Sequence, residues 1–68
     1  MYVTNPDKII HALNKLRLNT FDAAEATRIQ HYRFKKLLIR PATVTENTAR
    51  KLIRVLGDGT ATPKETAR

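Results

Sequence analysis

The sequence predicts an all-α domain, four short helices packed around one core. Apolar residues recur at helical spacing in four successive segments, and each segment is bounded by a capping residue or a breaker. No stretch shows the apolar/polar alternation of a half-buried strand. The 68 residues allow one domain with a small core, burying roughly 60% of the surface of the unfolded chain. With no cysteine, neither a disulfide nor a thiolate metal site can hold it, so packing must, and 41% apolar content suffices for that.

Asn5-Pro6-Asp7 opens the first helix, expected over residues 6–17: an N-cap, a proline in the first turn and an acid against the positive end of the dipole. Ile9, Ile10, Leu13 and Leu16 share its apolar face, and Leu18 closes the segment. Asn19 and Thr20 end this helix and cap the second, over 20–27, where Ala23, Ala24 and Ala26 let another helix approach closely. A short turn at Arg28-Ile29-Gln30 follows, with Ile29 the residue that wants burial. The third helix, over 30–39, holds Phe34, Leu37 and Leu38 within about 100° of one another, and Pro41 ends it by pushing the preceding residue out of helical geometry. Thr45 caps the fourth helix, over 45–56, which turns Ala49, Leu52, Ile53 and Leu56 inward and has Gly57 as its C-terminal cap. The expected core is Leu13, Leu16, Ala24, Ile29, Phe34, Leu37, Leu52, Ile53 and Leu56. Residues 58–68, DGTATPKETAR, have no apolar periodicity and read as a flexible, disordered tail outside a 1–57 domain, so that truncation after Asp58 is expected to leave the fold intact.

Charge sets the functional expectation. The chain carries 13 Lys/Arg against 6 Asp/Glu, a formal net charge of +7 and a pI near 10.4. That balance favours a polyanionic partner, nucleic acid first and an acidic lipid surface second. Between Arg28 and Arg40 stand five cations (Arg28, Arg33, Lys35, Lys36, Arg40) and no acid. On the third helix His31, Tyr32, Lys35, Lys36 and Ile39 cluster away from the apolar stripe, with Arg33 and Arg40 to one side. Lysine can donate to guanine O6 or N7, tyrosine and histidine can donate or accept, and Ile39 can touch a thymine methyl.

Residues Thr20 to Ile39 resemble the helix-turn-helix of the phage-repressor and Cro-like family of DNA-binding domains. Ala24 matches the small residue where the two helices touch, Ile29 the apolar residue closing the turn, and Phe34 and Leu37 the residues packing the recognition helix. Downstream, RPATVTENTARKLIRVLG is similar to the family's loop and following helix, so the resemblance runs from about Ile9 to Gly57. Two departures stand out: Arg28 occupies the place of a glycine with positive φ, and Ile39-Arg40-Pro41 stands where a glycine or asparagine usually ends the recognition helix.

The resemblance implies a compact four-helix, lambda-repressor-like fold and a sequence-specific double-stranded DNA-binding transcriptional regulator of phage or mobile-element type. Its third helix would lie in the major groove, with Gln30, His31, Tyr32, Lys35 and Lys36 reading bases. Asn19, Thr20, Arg33, Arg40, Thr43 and Thr45 would contact phosphates, and a homodimer on DNA would repeat the contacts on half-sites one helical turn apart. Asn19, Thr20 and Thr45 also read as plain helix caps, Gln30 as an N-cap substitute, Tyr32 as a residue at the core edge, and Lys15, Arg17, Arg50, Lys51 and Arg54 as solvated helix faces.

Other function classes fit less well. The chain has no serine or cysteine, no paired carboxylates at a useful separation, no phosphate-cradling glycine loop and two glycines, both after the fourth helix. An enzyme is therefore not expected, nor a cofactor or small-molecule substrate. His11 and His31 have no carboxylate or thiol at ligand spacing, so no metal is expected either. The narrow apolar stripe of the third helix is needed for the core, which argues against lying on a membrane. With no long apolar run and no hydrophobic leader, a cytoplasmic location is the expectation. The rival is a protein-interaction module on the same fold, an anti-repressor or antitoxin-like domain gripping an acidic partner.

Overall fold

The computed structural model describes residues Met1–Lys64. In chain order it has strand β1 (Tyr2–Thr4), helices α1 (Pro6–Leu16), α2 (Thr20–Thr27) and α3 (His31–Leu37), strand β2 (Thr43–Val44), helix α4 (Glu46–Leu56) and strand β3 (Ala61–Pro63). The four helices stand where the apolar periodicity predicts them. The all-α expectation is nevertheless corrected, because the strands form an antiparallel sheet in the order β2-β1-β3. Tyr2 and Val3 pair with Val44 and Thr43, while Tyr2, Val3 and Thr4 pair with Pro63, Thr62 and Ala61. The expected disordered tail is corrected with it, since Thr60 and Ala61 are buried and β3 completes the sheet. The rest of that tail, residues 65–68 with Arg68, lies outside the described residues.

The sheet is held at its centre by Thr4. Its backbone N–H donates to the Ala42 carbonyl at 2.9 Å, and its hydroxyl accepts from the Ala42 N–H at 2.9 Å and donates to the same carbonyl at 3.3 Å. On the other side the Asn5 N–H donates to the Thr60 carbonyl and the Lys64 N–H to that of Met1, both at 2.9 Å. Tyr2, Val44 and Ala61 face the helices and join the apolar cluster, whereas Thr43 and Thr62, paired with Val3, face solvent. Pro63, lacking a backbone N–H, sits on an edge strand, the place in a sheet that tolerates it. The reversal into β3 uses both glycines of the chain, Gly57 at φ 107° and Gly59 at φ 93°.

Helices α1 and α2 end in the same way. Arg17 and Arg28 adopt left-handed geometry (φ 59° and 58°). The next residues, Leu18 and Ile29, return their N–H groups to the carbonyls of Leu13 and Ala24, five positions back, at 2.9 and 3.0 Å. This is the Schellman arrangement, and it folds the apolar residue after the cap back onto the helix it has just left. It explains a correction to the expected core. Leu16 lies on the right face of α1 but at its very end, 48% exposed, and Leu18, folded back by Arg17, packs against the cluster in its stead. Ile10 is turned to solvent, and the buried stripe of α1 is Ile9, Ala12 and Leu13. Ile29 and Ile53 are half-buried against a core of Ala23, Ala24, Phe34, Leu37, Ala49, Leu52 and Leu56. α3 is also shorter than expected: Leu38 and Ile39 close it with N–H bonds to Lys35 and Lys36, three residues back, ahead of Pro41.

Phe34 is fully buried and is the largest such side chain. Phe34→Ala should cost on the order of 3–5 kcal/mol, enough to abolish a cooperative thermal transition in a domain this small. A variant truncated after Asp58 should lose at least about 2 kcal/mol, because it deletes buried Thr60 and Ala61 together with their backbone pairing. An unchanged urea midpoint for that truncation would show that β3 contributes nothing.

Candidate nucleic-acid interface

Burial of Phe34 and Leu37 fixes what α3 shows to solvent. Gln30, His31, Tyr32, Arg33, Lys35 and Lys36 are all exposed around the remaining arc, and Ile39 follows at 76% exposure. Tyr32 is 61% exposed and so does not pack over the core edge; the Lys36 ammonium lies 5.9 Å from its ring centroid, within cation–π range one turn on. His31 meets the ring of Phe21 edge to face, with centroids 5.2 Å apart. Phe21, on the first turn of α2, is itself 62% exposed. His31 and Tyr32 on the first turn of α3, with Phe21 of α2 against His31, thus form an exposed aromatic group that the Lys36 ammonium of the last turn reaches.

The expected phosphate contacts fall into two groups. Asn19 is the N-cap of α2, where its side-chain oxygen accepts from the Asp22 N–H at 2.7 Å, which leaves its amide NH2 free to donate outward. Thr20 opens the same helix. On the far side Arg33 and Lys36 of α3 face a groove whose opposite wall is Thr43 of β2 with Thr45 and Thr48 of α4. Thr45 caps α4 by accepting from the Thr48 N–H at 3.3 Å, so the cap and the groove wall are one residue. Gln30 makes no capping bond and is among the residues lining this groove. Arg40 is exposed in the loop after α3, and Asn19 and Thr20 lie outside the groove, so the structure does not gather all the expected residues in one place.

It adds two cations that sequence reasoning assigned elsewhere. Arg28, read as part of the turn, and Lys51, read as solvated helix surface, both line the groove. Lys51 lies one turn beyond Thr48 on α4, a spacing visible in the sequence, but which side of α4 meets α3 is a tertiary fact. Phe21 was also missed; an exposed aromatic in the first turn of the helix before the basic segment was its only signal. The groove holds four cations (Arg28, Arg33, Lys36, Lys51) and no carboxylate, so its field favours an anion. Among the described residues the longest helices have 11 residues, and none is long and apolar enough to cross a membrane.

Comparison with protein-family models, with curated proteins and with solved structures returns no match to this chain.

Arg28 keeps its charge at the groove in a conformation that costs a side chain about 1 kcal/mol or more. Arg28→Gly should therefore raise stability by about 1 kcal/mol, a gain of about 4–8 °C in Tm for a domain of this size. Arg28→Ala retains the Cβ and should gain little. Equal melting temperatures for the two variants would remove the strain argument.

Proposed function

We propose that this protein is a sequence-specific double-stranded DNA-binding regulator that inserts α3 into the major groove. The observation that carries the reading is the division of α3 itself: one stripe is buried, and the rest presents imidazole, phenol and ammonium groups beside an acid-free basic groove. Tyr32, Lys35, Lys36, His31 and Gln30 are its base-reading residues, and Asn19, Thr20, Arg33, Arg40, Thr43 and Thr45 its phosphate contacts. The N-termini of α2 and α4, each with a polar cap, add backbone dipoles favourable to phosphate. The resemblance to phage-repressor and Cro-like domains supports the same reading and suggests a repressor of phage or mobile-element type acting in the cytoplasm. The reading is of a binding protein, with no catalytic step and no cofactor.

The test begins with duplexes selected from a random pool. Tyr32→Ala and Lys35→Ala should each cost roughly 1–3 kcal/mol on the selected site and relax preference at one or two base pairs. Arg40→Ala should weaken selected and scrambled duplexes about equally and lower the slope of log K against log salt by about 0.9. If all three lose the same factor on both duplexes, α3 is only a cationic anchor, and the domain is better read as a module for an acidic protein partner.

A further inference from the structure

The basic groove beside α3 does not end at α3. A second groove runs between the C-terminal end of α2 and the side of α4, lined by Arg50, Lys51 and Arg54 with Arg28, Thr27 and Asn47. Arg28 and Lys51 line both grooves, so the two form one strip passing from α3 over the α2–α3 turn and along α4. Six cations (Arg28, Arg33, Lys36, Arg50, Lys51, Arg54) mark it, and no carboxylate lines either part. Among the described residues the single ion pair is that of Arg50 with Glu46 at 2.8 Å, so no described acid pairs with the other five cations of the strip.

The character of the strip identifies its occupant. The exposed large apolar residues of the protein, Ile10, Leu16, Phe21, Tyr32 and Ile39 among them, all lie off it. A protein-binding surface centres on aromatic and apolar anchors, whereas a surface for nucleic-acid backbone is cationic with hydroxyl and amide donors. Thr43, Thr48 and Asn47 supply such donors along its length, while the Thr45 hydroxyl donates to that of Thr48 at 3.2 Å. α3 alone, at seven residues, is about 10 Å long and spans about three base pairs at 3.4 Å each. The strip adds to it the side of α4 that carries Asn47, Arg50, Lys51 and Arg54, about 10 Å of helix.

We infer that the strip is a second phosphate line, so that the bound duplex continues past the bases read by α3 and lies with its backbone along α4. This rests on the DNA-binding reading and adds to it a requirement for flanking duplex of no particular sequence. A single domain thereby holds one duplex at its groove floor and along its flank.

The experiment compares wild type with the double variant Lys51→Gln/Arg54→Gln on a selected duplex of about two helical turns and on the same site trimmed to about one. Both substituted side chains are exposed, and thermal melting checks that the variant folds. Wild type should lose about tenfold on trimming, and the variant should lose little, with a salt slope on the long duplex lower by about 1.8. The variant should also weaken selected and scrambled long duplexes by the same factor. A variant that keeps the wild-type length dependence and salt slope overturns the second phosphate line while leaving the reading of α3 intact. Failure of wild type to discriminate selected from scrambled duplex overturns the DNA-binding reading and this inference together. Polyglutamate that competes as well as duplex at equal charge assigns the strip to an acidic protein and also overturns it.

Discussion

The left-handed turn at Arg28 is the constraint on which the rest of the molecule depends. It ends α2 after eight residues and returns Ile29 to the Ala24 carbonyl, and it thereby sets the direction in which α3 departs. Only with that direction do Phe34 and Leu37 reach the alanine face of α2, and only then do Tyr32, Lys35 and Lys36 point away from it. Glycine would adopt this geometry without strain. The chain holds an arginine there at a cost to stability, and its charge lines both basic grooves. A strained residue that contributes to the candidate site is the pattern expected where function and stability conflict.

The sheet does for the chain ends what that turn does for the helix pair. A domain with so few large apolar side chains has little packing to spare, and β1 ties three distant segments together through backbone bonds that no other element supplies. Ala42, just before β2, is bonded to Thr4, and this anchors the loop between α3 and α4 at one point. The groove wall formed by Thr43 and Thr45 therefore stands on a fixed strand instead of a free loop. Preorganised contacts of this kind lose less conformational entropy on binding than contacts from a mobile segment.

How far the sequence foretold all this follows from the range of each interaction. Helix caps and apolar periodicity are local, and Asn5, Asn19, Thr45 and Gly57 stand at the ends they marked. The position of the αL residue was visible as the departure from glycine at Arg28. That Arg17 does the same was not, although Leu13 and Leu18 repeat the spacing of Ala24 and Ile29. The strands were invisible because two or three residues carry no period, and the bond that fixes Thr4 joins it to a residue 38 positions away. The tail misled for the same reason: Thr60 and Ala61 are small, and their burial is decided by β1 at the other end of the chain. At the site, the exposed face of α3 was legible from its buried stripe. The contributions of Lys51, Arg54 and Phe21 were not, because each depends on which helix lies alongside.

Charge segregation gives these separate pieces a common sense. Asp22 and Glu25 stand on the exposed surface of α2, Asp7 on the first turn of α1 and Asp58 in the glycine turn, all off the basic strip, and Glu46 of α4 alone among the described acids pairs with one of its cations, Arg50. With a net charge of +7 the molecule repels itself, and scattering the acids among the cations would relieve that most. Instead the cations of α3 and α4 are left together, where they raise the local potential for an anion and the salt sensitivity of its binding. The aromatic rings at the leading end of α3 then sit at the edge of this field. Under the proposed function, their weak, geometry-dependent contacts would discriminate only between ligands that the cations had already drawn in. In the proposed complex, affinity from the strip and selectivity from Tyr32 and its neighbours would be separable, because the strip runs on to α4 while Tyr32 stands on α3 outside it.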